Sequence, residues 1–139
     1  MIRAVLDTNV LVSAMISPFG NEALILSAVQ HGKITPCLSQ EIVQEYADVL
    51  ARPRFRFAPD EIAGLIQMIT TRGLMFQPPS SEGRSPDPGD ESFIACAMQA
   101  EAQFLVTGNK RHFPQESCEP TKVVSARELI DSLNTPQSP

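Results

Sequence analysis

The sequence lacks three features that would place it in a specialised class of protein: long apolar runs, paired cysteines and excess positive charge. No apolar run in its 139 residues approaches the roughly 20 that a membrane-spanning helix needs. The first residues also lack the basic, apolar and small-residue pattern of a signal sequence, so we expect a cytoplasmic protein. Cys37, Cys96 and Cys118 are odd in number and include no C-x-x-C pair, which predicts reduced thiols rather than a zinc site.

The scarcity of positive charge limits how this chain could bind nucleic acid. It has 11 Lys and Arg against 16 Asp and Glu, a formal net charge of -5. This balance excludes binding of polyanions through bulk positive charge. Divalent cations held by clustered carboxylates would have to supply the missing charge, with help from local arginines. An acidic chain would also suit a basic partner protein.

The chain alternates between short apolar runs and amphipathic segments, which predicts a layered α/β domain. Its length fits a single domain, which we place at residues 1–133, followed by a frayed tail at 134–139. The predicted strands are 2–6, 34–38, 74–76, 104–107 and 122–124. The predicted helices are 22–29, 40–51, 59–72, 92–98 and 126–133, and a loop rich in Pro, Ser and Gly covers 78–89.

Asp7 follows the first predicted strand directly, so a charge stands at the end of a buried segment. In an open α/β sheet, ligands bind at the carboxyl ends of the strands, which would place Asp7 at a cleft. On this residue alone, a simple helix-capping role is the stronger interpretation.

Further acidic residues fall near the same predicted edge. Glu41 and Glu45 share one face of the second predicted helix, and Asp87, Asp90 and Glu91 precede or begin another helix. Solvated surface acids, and a helix-dipole contribution of about 0.3–1 kcal/mol, would explain either group by itself. Together they could instead form one site for Mg²⁺ or Mn²⁺, which prefer oxygen ligands. Such a site would suit hydrolysis of a phosphodiester.

Four motifs in order give the chain a resemblance to a known family. They are Asp7-Thr8-Asn9-Val10 after apolar residues, Ser39-x5-Glu45-x3-Val49-Leu50, Asp87-Pro88-x-Asp90-Glu91, and Leu105-Val106-Thr107-Gly108-Asn109. This pattern resembles PIN-domain ribonucleases, in the branch of toxin components of toxin–antitoxin systems. The resemblance covers Ile2 to about Leu133. It implies a three-layer α/β/α sandwich around a parallel sheet of about five strands in the order 3-2-1-4-5.

The resemblance also implies an acidic catalytic pocket and its residues. Asp7, Glu45 and Asp90 match the catalytic acids, and Asn109 stands where the family usually has a fourth acid. Asp7, Asp90 and Glu91 are the implied ligands of Mg²⁺ or Mn²⁺; either Asp90 or Glu91 could be the third acid, and we favour Asp90. The polar residues that would orient ligands or water are Thr8, Asn9 and Thr107. An antitoxin protein as partner, and a homodimer, are implied as well.

Basic residues near these motifs are candidate RNA contacts. They are Arg52, Arg54, Lys110 and Arg111, and the first two belong to a segment in which arginines alternate with phenylalanines. A loop anchored to the core by Phe55 and Phe57 is the favoured interpretation of that segment. His112 could be a general base, but a surface or phosphate-contacting role is the favoured interpretation.

The leading hypothesis is therefore a metal-dependent endoribonuclease. The alternative is a weakly active or inactive domain that binds RNA or an antitoxin, since Asn109 removes one negative charge from the pocket. A receiver domain or a haloacid-dehalogenase-like phosphatase fits poorly, because Asp7-Thr8-Asn9 lacks the acidic residues that either would need at this place.

Overall fold

The computed structural model describes residues 2–78 and 90–134. The strands are β1 (Ile2–Leu6), β2 (Ile34–Ser39), β3 (Leu74–Phe76), β4 (Phe104–Val106) and β5 (Lys122–Val124). The α-helices are α1 (Thr8–Ile16), α2 (Asn21–Gln30), α3 (Gln40–Leu50), α4 (Pro59–Arg72), α5 (Glu91–Ala100), α6 (Gln115–Cys118) and α7 (Ala126–Asn134). Short 3₁₀ turns cover Pro53–Phe55 and Lys110–His112.

The five strands form one parallel sheet in the order β3-β2-β1-β4-β5, which confirms the predicted topology. β1 is the central strand, and its consecutive residues Ala4, Val5 and Leu6 are completely buried. Because neighbouring residues of a strand point to opposite faces, helices must cover both faces of the sheet here. All the strands end at one edge, and β1 places Asp7 at the middle of it.

Local sequence signals begin and end several helices as predicted. The Ser39 hydroxyl accepts a hydrogen bond of 3.3 Å from the Ile42 N–H and caps α3. Gly32, with a φ of +77°, follows the end of α2 in the left-handed conformation that glycine adopts readily. Ser125 and Glu128 form a capping box: the Glu128 N–H donates to the Ser125 hydroxyl, and the Ser125 N–H donates to the Glu128 carboxylate.

The principal difference from the sequence-based prediction is α1, which was not among the predicted helices, although the capping interpretation of Asp7 implies a helix after it. This helix begins directly after Asp7 and buries Val10 and Leu11. The predicted loop at 78–89, with Asp87, lies outside the described residues except for Pro78, as does the tail at 135–139.

The outer edge of β5 is covered by a side chain of α6. The Gln115 side chain accepts a hydrogen bond from the Val123 N–H (2.9 Å) and donates one to the Thr121 carbonyl (2.7 Å). These backbone groups face away from β4, which pairs with the alternate residues of the strand. Gln115 therefore occupies hydrogen-bonding positions at which another strand would pair.

The three cysteines are buried and form no disulfide with one another. Within 2–78 and 90–134, no single helix is long and apolar enough to cross a membrane. Only α1 and α2 taken together reach that length and hydropathy, and they are bent by 105° from each other.

Candidate active site

Asp7 is the buried centre of the candidate site. It is only 7% exposed, and its backbone N–H donates to the Val106 carbonyl (2.9 Å), which fixes it beside the end of β4. It occupies the N-cap position of α1, but its side chain makes no capping hydrogen bond there. Burial raises the pKa of Asp7, although hydrogen bonds from Thr107 and the Thr8 backbone, and the charge of His112, oppose that rise. The capping interpretation therefore does not account for this carboxylate.

Thr107 orients the Asp7 carboxylate from the next strand along the sheet edge. Its hydroxyl donates to Asp7 Oδ2 at 2.8 Å and accepts from the Asn109 N–H at 3.0 Å. Because the Asn109 N–H takes the accepting position, the hydroxyl hydrogen is directed at Asp7. Asn109 thus contributes a backbone contact to the site, and its side chain is partly exposed.

Glu45 reaches the site through Thr8. The Thr8 hydroxyl donates to Glu45 Oε2, which joins the first turn of α1 to the middle of α3. The neighbouring residue Tyr46 is completely buried, and its hydroxyl donates to the Leu6 carbonyl at 2.5 Å. This bond ties α3 to the peptide group that precedes Asp7, and so it sets the position of Glu45. Asn9, the other residue predicted to support the ligands, is exposed.

Asp90 is paired with His112. Its side chain is 13% exposed, and His112 Nδ1 lies 2.9 Å from Asp90 Oδ2. The charge of His112 also acts to lower the pKa of Asp7, so the imidazole influences both acids.

Glu91 is in a different environment from Asp90. It begins α5 and is 4% exposed, and its charge helps to raise the pKa of the buried Cys118 thiol in α6, for which burial is the larger cause. Its carboxylate is therefore close to α6. Glu41, one turn before Glu45 on α3, is exposed.

Three buried aromatic side chains, Tyr46, Phe93 and Phe113, form a row, each next in sequence to one of these residues or in the same helix as one of them. The ring of Phe93 in α5 lies 6.3 Å from that of Tyr46 and 6.2 Å from that of Phe113, which it meets edge to face. Tyr46 follows Glu45, and Phe113 follows His112, so this aromatic row fixes α3, α5 and the turn after β4 relative to one another. The row was not predicted, because its members are far apart in the sequence.

The predicted RNA contacts fall into two groups. Lys110 Nζ lies 2.6 Å from Glu128 Oε1, whereas Arg111 in the same turn is exposed. Arg52 and Arg54 are exposed and follow the C-terminal end of α3, at the opposite end of the helix from Ser39. The Arg54 guanidinium lies 4.8 Å from the centre of the Phe55 ring.

The aromatic residues of that second segment agree with the anchored-loop interpretation. The Phe55 and Phe57 rings stack at 5.4 Å, and Phe57 packs against the core.

The acidic side chains match a divalent cation in their chemistry. Asp7, Glu45 and Asp90 come from three elements and offer only carboxylate oxygens, which Mg²⁺ and Mn²⁺ prefer. Burial raises the pKa of Asp7 because it disfavours the charged carboxylate, and a bound cation would offset that charge. Over the described ranges, no three His, Cys, Asp or Glu side chains are already grouped so that they could hold a metal ion. Glu45 and Asp90 are engaged by Thr8 and His112 instead.

Surface cavities help to show from which side a substrate could approach. A cavity of about 580 Å³ follows the outer face of α3 and includes Glu41, Glu45, Asp48 and Arg52. This groove has three acids and one base, so it disfavours a polyanion. Cavities of about 620 Å³ and 640 Å³ lie away from Asp7, between α2 and α7 and beside β5.

Comparison with known proteins places the chain in a family. The chain is 29% identical over 112 residues to an uncharacterized protein of Methanocaldococcus jannaschii, across 78% of this chain and 72% of the relative. Its fold is similar to that of a chain in the crystal structure of VapBC2 from Rickettsia felis bound to a DNA fragment from their promoter. That similarity has a TM-score of 0.59 at 13% identity and covers 89% of this chain and 98% of the other.

The family model described as PIN domain matches residues 3–111, which include Asp7, Glu45, Asp90 and Asn109. This match extends over more than half of the chain, and the observed sheet order is the one that the resemblance implied. The chain therefore belongs to the PIN domain family, whose members are generally nucleases that use divalent metal ions.

Proposed function

We propose that this protein is a metal-dependent endoribonuclease that hydrolyses RNA phosphodiester bonds. The observation that carries the proposal is the buried Asp7 of a PIN domain, held by Thr107 at the centre of the sheet edge. Buried carboxylates are retained at a cleft when they serve a ligand, because their burial is otherwise unfavourable.

The residues of the site divide the catalytic work. Asp7, Glu45 and Asp90 would hold Mg²⁺ or Mn²⁺, with Glu91 and Asn109 as further candidate ligands. Such an ion supplies Lewis acidity that activates water and offsets the charge of the phosphodiester. Thr107 and Thr8 keep the carboxylates of Asp7 and Glu45 in place through their hydroxyl groups.

Substrate binding in this proposal relies on local basic residues. The acidic groove along α3 disfavours RNA, so the phosphates approach from the turn that holds Arg111 and His112. Arg111 is the best-supported phosphate contact because it is exposed beside His112. Lys110, Arg52 and Arg54 are secondary candidates, Lys110 because Glu128 already engages it.

We further propose that the protein is the toxin of a toxin–antitoxin pair and acts in the cytoplasm. The fold similarity to a chain of a VapBC2 structure supports an antitoxin partner. Large apolar side chains exposed around the α1–α2 corner, with Phe19 98% exposed, also suit a protein partner, either an antitoxin or a second copy. Light scattering of the purified protein, alone and after co-expression with a candidate antitoxin, separates these assemblies by mass.

The decisive experiment is RNA cleavage with Mg²⁺ or Mn²⁺ by the wild type, Asp7→Asn and Asp48→Asn. Asp48 is an exposed acid of α3 whose carboxylate accepts a hydrogen bond from the Gln44 side chain (2.9 Å), so it serves as the matched control. We expect Asp7→Asn to lower the cleavage rate at least 100-fold, as the loss of one key electrostatic group does in other enzymes. Asp48→Asn should cleave RNA at the wild-type rate, and EDTA should abolish cleavage by both the wild type and Asp48→Asn.

Cleavage that survives in Asp7→Asn would refute the assignment. RNA binding without turnover by the wild type, unchanged by EDTA, would favour the alternative of an inactive RNA-binding domain.

A further inference from the structure

We infer that this chain docks onto a second copy of itself through the outer face of α3. In this contact the basic turn of each copy, which carries Arg52, Arg54 and Arg56, lies against the acidic groove of the other copy. The acids of that groove are Glu41, Glu45 and Asp48. The contact goes beyond the proposed function and does not depend on RNA cleavage, since it concerns how two chains associate.

The three arginines of the basic turn are exposed. Over residues 2–78 and 90–134, none of them forms an ion pair with an Asp or Glu side chain. The turn itself is well formed, because the Phe55 N–H donates to the Arg52 carbonyl (3.1 Å) and the Arg56 N–H donates to the Pro53 carbonyl (3.2 Å). Three positive charges are therefore held at the end of α3, where an acidic surface of another molecule can meet them.

The acids of the groove are only partly explained by their own helix. Glu41 is in the first turn of α3, where the positive end of the helix dipole favours an acid. Asp48 is in the last turn, where the dipole disfavours an acid. Arg52 follows it by four residues but does not pair with it, and the Asp48 carboxylate accepts a hydrogen bond from Gln44 instead (2.9 Å). An acid in this place therefore suits a cation from another molecule.

The order of the charges makes this face complementary to itself. The acids lie 1, 4 and 8 residues before Val49, and the arginines lie 3, 5 and 7 residues after it. When two copies meet across a two-fold axis that crosses α3 near Val49, the two helices run antiparallel and each basic turn lies over the acids of the partner. Three arginines then face three acids in each half of the contact. A different partner would need both charges in this order, whereas a second copy has them already.

Two apolar side chains add to the contact. Val49 is half-buried and lines the groove, and the half-buried ring of Phe55 stacks on that of Phe57. Of these two rings, only Phe57 packs against the core, so Phe55 has surface left to cover. Exposed ion pairs add little affinity and mainly orient the partners. We therefore expect a weak dimer that dissociates at the low protein concentrations of a cleavage assay, where Asp48→Asn remains a valid control.

Sedimentation velocity of the purified full chain, over a range of protein concentrations, tests this association. We expect a monomer–dimer equilibrium in about 0.1 M NaCl that is at least about 10-fold weaker in about 1 M NaCl, because the Debye length falls from about 10 Å to about 3 Å. A wild type that stays monomeric in low salt overturns the inference, and so does a dimer that salt does not weaken.

Two charge reversals beside the two-fold axis test the pairing itself. Asp48→Arg places like charges opposite the partner's Arg52, and Arg52→Glu places like charges opposite the partner's Asp48. Each variant alone should dimerise at least about 10-fold more weakly than the wild type, because like charges repel across a contact. A mixture of the two variants has opposite charges at both places, so it should form a mixed dimer with nearly the wild-type affinity.

Glu116→Arg is the matched control for Asp48→Arg. It makes the same change in net charge at an exposed residue of α6, the helix that contacts β5. It should dimerise at least as tightly as the wild type. Thermal unfolding checks that every variant is folded, which we expect because all three changes are at exposed residues.

Three results separate this contact from its rivals. If both reversed variants dimerise as the wild type does, or if their mixture stays monomeric, the inference is overturned and the contact belongs to another face, such as the α1–α2 corner. If Arg52→Glu loses RNA binding with no change in the mass of the protein, the basic turn belongs to RNA, which also overturns the inference. A wild type that dimerises as described but does not cleave RNA would refute the proposed function alone.

Discussion

Replacing Asp7 by Asn should make the protein more stable at neutral pH, because it removes a buried charge and keeps the shape of the side chain. The amide oxygen of Asn can accept the hydrogen bond that Thr107 donates to Asp7 Oδ2 at 2.8 Å. The change also weakens the hydrogen bond from the Thr8 backbone, but loss of the negative charge is the larger effect, because burial is the largest influence on the pKa of that group.

The sign follows from the raised pKa of Asp7. A carboxyl group whose pKa is higher in the folded protein binds its proton more tightly there. Its contribution to stability is therefore fully present below the ordinary pKa of 3.8 and is lost as the pH rises through the raised value of the folded state. At pH 7 the ionised group opposes folding, and Asn does not.

The expected gain is about 1 kcal/mol, the usual size for relieving an unfavourable functional group. Unfolding entropies of about 2.1 cal/mol/K per residue give about 0.29 kcal/mol/K for 139 residues, so Tm should rise by about 3 °C. Thermal unfolding without added metal, at pH 7 and pH 4, measures this difference. The gap between the variant and the wild type should narrow at pH 4, where the wild-type carboxyl gains its proton.

Asp48→Asn is the control for a general reduction of negative charge, since Asp48 is exposed. A Tm of Asp7→Asn at or below that of the wild type at pH 7, or a gap that widens on acidification, would show that the reasoning about burial is wrong.

Two further changes test the framework around the site. Gly73→Ala should lower stability by about 1–3 kcal/mol, because a Cβ there would lie 2.8 Å from two backbone oxygens and 2.7 Å from a Leu38 methyl group. Gly64→Ala is its control: nothing lies within 4 Å of its Cβ, so the helix should gain about 0.5–1 kcal/mol, and chemical denaturation that ranked the two alike would contradict the packing argument. Tyr46→Phe should cost about 1–2 kcal/mol in the same assay, because the buried Leu6 carbonyl loses its donor; an unchanged midpoint would refute that bond.

The sheet, and the place of Asp7 at its edge, could be predicted from local sequence. Strands buried on both faces consist of short apolar runs, which can be recognised in the sequence. An acid directly after such a run, as at Asp7, can be recognised there too. Ser39 could be recognised as the start of a helix because a serine hydroxyl can cap the first N–H groups. Gly32 could be recognised as following a helix because glycine adopts the left-handed conformation readily.

The first helix could not be predicted in the same way. Its sequence, Thr8–Ile16, is apolar and rich in β-branched residues, a composition that suits a strand as well as a helix. Burial of Val10 and Leu11 among the neighbouring helices overrides that local preference. Tertiary packing, and not propensity, therefore decides the conformation of this segment.

The position of His112 beside Asp90 could not be predicted from local sequence either. A single histidine between basic residues and Phe113 has no local pattern that distinguishes a surface position from a place beside Asp90. Its neighbours in space are supplied by α5, which begins 21 residues earlier in the chain at Glu91. The contact of Phe113 with Phe93 helps to bring these two segments together.

Gln115 has a consequence for how copies of this protein behave at high concentration. An edge strand with open N–H and carbonyl groups is a template on which another chain can add a strand, and that addition is a route to fibrils. The Gln115 amide fills those positions at Thr121 and Val123. One polar side chain thus blocks the addition of strands from other copies to β5, and so opposes edge-to-edge polymerisation of the sheet.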